Sequence, residues 1–598
     1  MNTIEYLIKK LKVLGITDFF GLPSDYNFNI VSAIEDNPDI NWIGCTNELN
    51  AGYAADGYAR QKGFGAIVTT YGVGELSAMN AIAGSYAENI PVIHIVGAPS
   101  EEEFKCGKTI HHSFPNKEQE TFMKAQQHVV EASAFLTKDN LKIEIDRILK
   151  VFIKERKPVY IAIPSDIAIT DIADKKTDYD WISDTNNLET VIKLASDKIN
   201  LASNPVILGD ILVKRFGAEL EFSEFVEKSN IPVTNFLMGT GLINCDCKNY
   251  IGTSFSKYLN SGVNKLLKET DCLISVGVIN SDVNSYGINL PYKINSHIAI
   301  YGTYTYINGK IYENVKMSDV LRGITKNILT KKYDEIKKET YYSPVSPSKE
   351  PLNSNFIYSR LQDYIKSGDI IIAESGLVPH GIFAMQLPPN TIIHSQLLWC
   401  SIGWATAAAL GICVANPQAR IIIVTGEGAH QVSAMEIGNF FRFGFKPVVI
   451  VINNNGYTIE RVLSGIPDAG FNDVMQLDYP KFARSFSGDV WSARVCTEDD
   501  FDRALRVTQI MDKLCYIEAV TSASDIPDMA KMFFDLAPVY EIKLNKKQTE
   551  KNLTLTNSVE YETNVHTSIH DLDYDETEDE TEDETEENVV EADEEENE

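Results

Sequence analysis

Short, continuous apolar runs recur along this chain between longer stretches whose apolar residues return every three to four positions. Ala66–Thr70, Val92–Val96 and Val159–Ile163 are runs of the first kind, and each reads as a strand buried on both faces. Strands alternating with helix-length amphipathic segments favour right-handed β-α-β units and a parallel sheet. That pattern holds to about Ala173, gives way to the polar stretch Asp174–Asn187, and restarts at Pro205–Gly209, continuing through Cys272–Val276. Three prolines (Pro344, Pro347 and Pro351) then deny helix continuation and ladder donors to the segment Tyr341–Pro351, which reads as a linker. A third set follows, with strands expected at Ile370–Ala373, Ile421–Val424, Val448–Ile452 and Tyr516–Val520. The fold class expected is α/β, with three doubly wound parallel-sheet domains at 1–178, 188–335 and 353–545, and a linker at 336–352. The first and third sets share an element pattern without a sequence repeat.

Length and charge refine this picture. A chain of 598 residues exceeds what one hydrophobic core serves, which agrees with several domains. The net charge of −30 is unevenly spread: residues 571–598 hold eighteen acids and no Lys or Arg, leaving −12 for the rest. Such an acidic balance argues against nucleic-acid binding, which needs basic surface. The Asp-Glu-Thr repetition from Asp575 to Glu587 repels itself and has almost nothing to bury, so a disordered acidic tail is expected over 546–598. No apolar run approaches the roughly 20 residues that span a bilayer. Lys9 and Lys10 sit inside an amphipathic pattern instead of ahead of a signal core, so no membrane association is expected. Nine scattered cysteines without C-x-x-C pairs, two of them (Cys272 and Cys515) inside strand-like runs, fit reduced thiols and a cytoplasmic protein.

The most informative chemistry lies in the third set. Gly426-Glu427-Gly428 follows the run Ile421–Val424, and Asn454 stands 27 residues after Glu427, inside Asn453-Asn454-Asn455-Gly456-Tyr457. A carboxylate at a strand-to-helix turn, with an amide oxygen and a backbone carbonyl at the end of the next strand, can hold a hard divalent cation against a diphosphate. Taken alone, a Gly-acid-Gly triplet is more often simply a turn. The spacing and the flanking strands make the pair more specific.

Further clusters give the pair a context. Gly21-Leu22-Pro23-Ser24-Asp25-Tyr26-Asn27, the stretch Asn47–Arg60 containing Glu48, Thr69–Ala78, Gly84–Glu88, the pair His111-His112, and Tyr457-Thr458-Ile459-Glu460 occur in this order. Each has a bland reading: Asp25 as a helix cap, Glu48 and Glu460 as helix-surface charges, the histidines as surface residues. Together with the glycine-flanked acid they resemble the thiamine-diphosphate-dependent 2-oxo acid decarboxylases, the pyruvate and indolepyruvate decarboxylase family, over about Met1 to Pro538. The resemblance implies a pyrimidine-binding first domain, a central domain and a diphosphate-binding third domain, with thiamine diphosphate and Mg²⁺ as cofactors. It implies that Glu48 hydrogen-bonds the pyrimidine ring and that Asp25, His111, His112 and Glu460 form the acid-base relay. It assigns Glu427, Asn454 and the Gly456 carbonyl to the metal, and Gly426, Gly428, Ala429, Thr458 and Ile459 to the diphosphate side. By the same resemblance the Cys400 carbonyl accepts from the pyrimidine, and Ile402 is the wedge that bends the cofactor.

Three positions depart from the family pattern. Glu427 stands for the usual aspartate, Leu377 for a threonine and Cys400 for a glycine. The activity implied is non-oxidative decarboxylation of a 2-oxo acid to the aldehyde and CO2. Gly426–Ala429 with Gln431, and Ser524-Asp525-Ile526-Pro527, lean toward the indolepyruvate and phenylpyruvate branch, with pyruvate as the other candidate substrate. A carboligase of the acetohydroxyacid synthase type is the alternative enzyme, and the His pair and Asp25 argue against it. A cofactor-impaired relic serving as a binding protein is the alternative from another class, resting on Glu427 and Leu377. The family builds its sites between chains, so a homodimer is the minimum assembly expected, and a homotetramer is compatible.

Overall fold

A computed structural model describes residues 1–116, 118–173, 178–254, 261–286, 296–333 and 341–534. The expected acidic tail, the first residues of the expected linker and the end of the third expected domain lie outside the described residues. Among those described, no helix is long and apolar enough to cross a membrane.

Three sheets carry the fold. The first holds β1 (Asp18–Gly21), β2 (Asn41–Gly44), β3 (Gly65–Thr70), β4 (Val92–Ala98), β5 (Ala132–Phe135) and β6 (Val159–Pro164), all parallel, in the order β2-β1-β3-β4-β6-β5. The second holds β7 (Pro205–Gly209), β8 (Val233–Asn235), β9 (Tyr250–Thr253), β10 (Cys272–Val276), β11 (His297–Ile300), β12 (Tyr304–Ile307) and β13 (Lys310–Glu313), in the order β13-β12-β11-β10-β7-β8-β9. The third holds β14 (Ile370–Ala373), β15 (Ile392–Ser395), β16 (Ile421–Gly426), β17 (Val448–Asn453), β18 (Val490–Val495) and β19 (Leu514–Val520), all parallel, in the order β15-β14-β16-β17-β19-β18. Strand for strand, the first and third sheets have the same order.

The apolar runs form strands because β-branched residues fit a sheet covered on both faces. In the third sheet Ile370, Ile372, Ile421 and Ile423 face one core, while Ile371, Ile422, Val424 and Ile450 face another. Each such side chain contributes about 1.5–3 kcal/mol when fully buried. The second sheet departs from a purely parallel plan at one edge, where β11, β12 and β13 run antiparallel. The β12–β13 hairpin turns through Asn308 and Gly309, both with positive φ (54° and 79°), the backbone that a two-residue turn between twisted strands requires.

The first core also contains residues of the first sheet and of two helices, Glu48–Lys62 and Trp404–Ala415. These helices meet backbone to backbone: a Cβ at Gly57 would fall on the carbonyl of Ala408, and one at Gly411 on the carbonyl of Ala54. A buried ionic network lies beside them. Arg60 pairs with Asp56 and Glu88, each at 2.7 Å, and donates to the Ser395 carbonyl. The Trp404 indole N–H donates to Asp56, and the Leu398 N–H donates to Glu88. The segment leading to Cys400 and Ile402 is thereby held against the first sheet's helices.

Candidate active site

In a sheet of this strand order the chain leaves the first-formed strand in opposite directions, and the crevice beyond the carboxyl ends at that switch point is where such folds take ligands. In the third sheet the point lies between β14 and β16. A cavity of about 420 Å³ sits there, lined by Ser375–Val378 after β14, Gly426–Ala429 after β16, and Asn454 with Gly456–Glu460 after β17. Ile402 and Ile452 complete one wall, Ser354 and Tyr358 another.

Glu427 is the first residue of a short helix, Glu427–Ser433, and is 1 % exposed. Its carboxylate accepts from the Gly456 N–H at 2.5 Å and from the Asn454 N–H at 3.4 Å. Burial pushes this carboxyl up to about 7, against the pull of those backbone donors and of Arg461. Asn454 presents a buried side-chain oxygen with no hydrogen-bond partner. The Gly456 carbonyl accepts from the Thr458 N–H at 3.1 Å, which leaves it a second lone pair. The Glu427 carboxyl, an unpartnered amide oxygen and a half-used carbonyl form an all-oxygen donor set, the chemistry that suits Mg²⁺.

The loop carrying these groups has an unusual backbone held by specific contacts. Asn455 has φ 60° and Gly456 φ 137°, and a Cβ at Gly456 would collide with the Asn472 carbonyl. Arg461 donates to the carbonyls of Asn454 (3.3 Å) and Asn455 (2.7 Å) and pairs with Asp473 at 2.9 Å. Gly428 lets the Tyr457 ring lie where a Cβ would stand 2.6 Å from it. Asp525 caps Ser354 through its N–H (2.7 Å) and hydroxyl (2.6 Å), which fixes the cavity's far wall. Sequence reasoning passed over Arg461, Ser354 and Tyr358. The position of Arg461 one residue after the Tyr457–Glu460 cluster was the available signal for it.

The diphosphate-side residues are assembled as a group, with two differences of detail. The Thr458 hydroxyl donates to the Ala523 carbonyl at 2.9 Å, so its oxygen is engaged away from an incoming ligand. Ile402 lines the cavity, whereas Cys400 is not among the lining residues. Cys400 adopts φ 54°, a region favouring the glycine that the family pattern has here, and its thiol turns back to the Leu397 carbonyl at 2.8 Å.

The other expected residues gather at the matching end of the first sheet. Asp25 follows β1, and its Oδ2 lies 2.7 Å from Nε2 of His111, while its Oδ1 accepts from the Ser24 hydroxyl (2.9 Å) and the Tyr26 N–H (3.0 Å). Partial burial pushes this carboxyl up, but hydrogen bonds from Ser24 and His111 and the His111 charge outweigh it and hold Asp25 below its ordinary value. Tyr26, which sequence reasoning did not single out, places its hydroxyl 3.1 Å from Nδ1 of His111. His112 has φ 59°, and its carbonyl sits where a Cβ on Gly72 would be. Glu75 fixes that glycine by accepting its N–H at 2.9 Å. Glu48 opens its helix behind the Asn47 cap, with Oε1 close against Gly74. None of Asp25, Glu48, His111 or His112 lines the third-sheet cavity. The chain thus presents two clusters of candidate groups at equivalent ends of two like sheets.

Comparison with known proteins agrees with this architecture. Residues 1–126 match the family described as thiamine pyrophosphate enzyme, N-terminal TPP binding domain, residues 192–317 its central domain, and residues 377–519 its C-terminal TPP binding domain. The chain is 32% identical to pyruvate decarboxylase isozyme 1 of Saccharomyces cerevisiae over 544 residues, covering 88% of this chain and 96% of that protein. It is 31% identical to an alpha-keto-acid decarboxylase of Mycolicibacterium paratuberculosis over 535 residues, covering 88% and 94%. Among solved structures, the thiamine diphosphate-dependent 4-hydroxybenzoylformate decarboxylase of Rhodococcus jostii superposes with a TM-score of 0.70 over 87% of this chain and 99% of that one; at 18% identity this speaks to the fold alone. The chain belongs to the thiamine-diphosphate-dependent 2-oxo acid decarboxylases, carbon–carbon lyases that work through thiamine diphosphate.

Proposed function

We propose that this decarboxylase releases a free aldehyde and CO2 from pyruvate or an arylpyruvate, with Mg²⁺ as its metal, in a homodimer whose sites each draw on two chains. The observation that carries the metal assignment is the buried, unpartnered Asn454 side-chain oxygen beside the Glu427 carboxylate. Glu427, Asn454 and the Gly456 carbonyl hold Mg²⁺, and the first-turn N–H groups of Gly428 and Ala429, which lack helical partners, face the diphosphate. Gly426 and Ile459 shape that wall, and Ile402 sets the angle between the two ends of the cofactor.

Bound thiamine diphosphate supplies a thiazolium ring that accepts the electron pair freed as CO2 departs. Glu48 hydrogen-bonds the pyrimidine. Asp25, His111, His112 and Glu460 hold and return the proton that completes the aldehyde, while the Cys400 carbonyl accepts from the pyrimidine. Asp25, Glu48, His111 and His112 do not line the cavity of their own chain, which supports completion of the site by a second copy. The three sheets fall within the proposed domains 1–178, 188–335 and 353–545, and nine cysteines without a disulfide accord with a cytoplasmic setting.

The test is a substrate panel on the full-length protein with thiamine diphosphate and Mg²⁺: pyruvate, phenylpyruvate, indolepyruvate and branched 2-oxo acids. Aldehyde and CO2 in equal amounts from at least one is expected. A hydroxyketone as main product would replace this reading with carboligation, and no CO2 from any acid would overturn it.

A further inference from the structure

The first-sheet cluster has a second capacity that its place in the decarboxylase does not require. Asp25, His111 and His112 each offer one ligand atom, and these atoms all lie within 4.8 Å of one another. A tetrahedral ion with bonds of about 2.0–2.1 Å needs its ligands about 3.3 Å apart, so contraction by about an ångström would close the set. The Asp25–His111 pair, at 2.7 Å, already lies inside that spacing.

The groups behind these ligands are also in place. Asp25 uses Oδ1 for Ser24 and the Tyr26 N–H, while Oδ2 bonds Nε2 of His111, and an ion taking both atoms replaces that bond. Tyr26 stands 3.1 Å from Nδ1 of His111, so when Nε2 turns to a metal the phenol oxygen can accept the Nδ1–H, the outer-shell support that ligating histidines use. Nδ1 of His112 is buried without a partner. Two imidazoles and one carboxylate, with the rest of the coordination sphere open, select a borderline ion of the Zn²⁺ class and reject Mg²⁺, which the all-oxygen set around Glu427 suits instead.

We propose that Asp25, His111 and His112 form a reversible site for a Zn²⁺-class ion. Its occupation ties up three members of the proton relay and so inhibits decarboxylation; that consequence, though not the binding itself, rests on the relay assignment made above.

The experiment uses full-length protein saturated with thiamine diphosphate and Mg²⁺, titrated with Zn²⁺ by calorimetry and with Co²⁺ as a visible reporter. Expected are one ion per chain, a Co²⁺ d–d band that Zn²⁺ abolishes, and loss of at least about 10-fold in Zn²⁺ affinity in both Asp25→Asn and His111→Gln. X-ray absorption of the Zn²⁺-loaded unmodified protein should show two imidazoles, which keeps the question answerable if either variant misfolds. Unchanged stoichiometry and affinity in both variants, or a zinc environment of sulfur ligands, would overturn the site. Inhibition by Zn²⁺ should reverse with a chelator selective for zinc over magnesium. Binding as expected without inhibition upholds the site and overturns the relay assignment instead.

Discussion

The Tyr26 phenol and the His111 imidazole stack at 4.7 Å, with the hydroxyl 3.1 Å from Nδ1 and the opposite nitrogen 2.7 Å from Asp25. Burial, with Asp25 and Glu103 nearby, pushes the phenol up to about 12, so it stays protonated, and its hydroxyl donates to the His111 carbonyl at 3.3 Å while lying beside Nδ1. These contacts hold the His111 ring with Nε2 facing Asp25. Tyr26 therefore positions His111 within the proposed relay. Tyr26→Phe should lower kcat by about 10-fold, less than the roughly 10²–10⁴ for loss of an acid-base group, and should shift the pH profile of kcat. Calorimetry should show cofactor affinity unchanged; an unaltered pH profile would remove Tyr26 from this role.

Glu427 spends its extra methylene on reaching the N–H groups of Gly456 and Asn454. A shorter acid at this position draws back from those donors and leaves its oxygens for the metal. Glu427→Asp should tighten Mg²⁺-dependent binding of thiamine diphosphate on the order of 10-fold, read by calorimetry. Equal affinity in the two proteins would show that the longer side chain is no handicap.

With its carboxyl raised from an ordinary 4.5 to about 7, Glu427 keeps a proton in the metal-free protein over a range where an exposed glutamate has lost it. Ionising it while buried costs stability, so the metal-free protein weakens as pH climbs from the ordinary value toward 7. Mg²⁺ needs the ionised form and must expel the proton. Its apparent affinity should rise about tenfold per pH unit below 7 and level off above, with matching proton release in buffers of different ionisation heat. A flat profile from pH 5.5 to 8 would contradict this.

If each site joins the first-sheet half of one chain to the third-sheet half of another, Glu48→Gln and Glu460→Gln damage different halves. Dissociated and mixed, the two inactive variants should recover about a quarter of wild-type activity, because random pairing leaves one intact site in half of the dimers. No recovery, with hybrid dimers demonstrated by mass, would place both glutamates in the same chain's site.

Gly411 allows the helix Trp404–Ala415 to touch the backbone of Glu48–Lys62 at Ala54. Gly411→Ala should destabilise the contact by about 1–3 kcal/mol, seen as an earlier first transition in urea. An unshifted transition would mean that the helices part without cost.

The strands most legible in the sequence were the ones buried on both faces. Pro205–Gly209, Cys272–Val276 and Ile370–Ala373 fall where their apolar runs place them, because a sheet covered on two sides asks only for a short β-branched run. The β12–β13 hairpin went unread although Asn308-Gly309 announces it, since its strands are half-exposed and their alternation is weak over four residues. At the site, the motif positions pointed to groups that the fold gathers into two clusters, but not to their orientations. That Gly456 turns its N–H to Glu427, and that the Thr458 hydroxyl engages Ala523, depends on loop backbone set by Arg461 and Asn472, contacts that no spacing rule encodes.

Arg60 and Glu88 grip the Ser395–Leu398 stretch from the side of the first sheet, and Ile402 lies only a few residues beyond. Ile402, proposed above as the wedge for the cofactor, is thus referenced to a different sheet from the loops proposed to hold the diphosphate. On that proposal, loosening the ionic grip alters the cofactor angle, and substitutions at Arg60 or Glu88, neither of which lines the cavity, present in assays as defects of cofactor use.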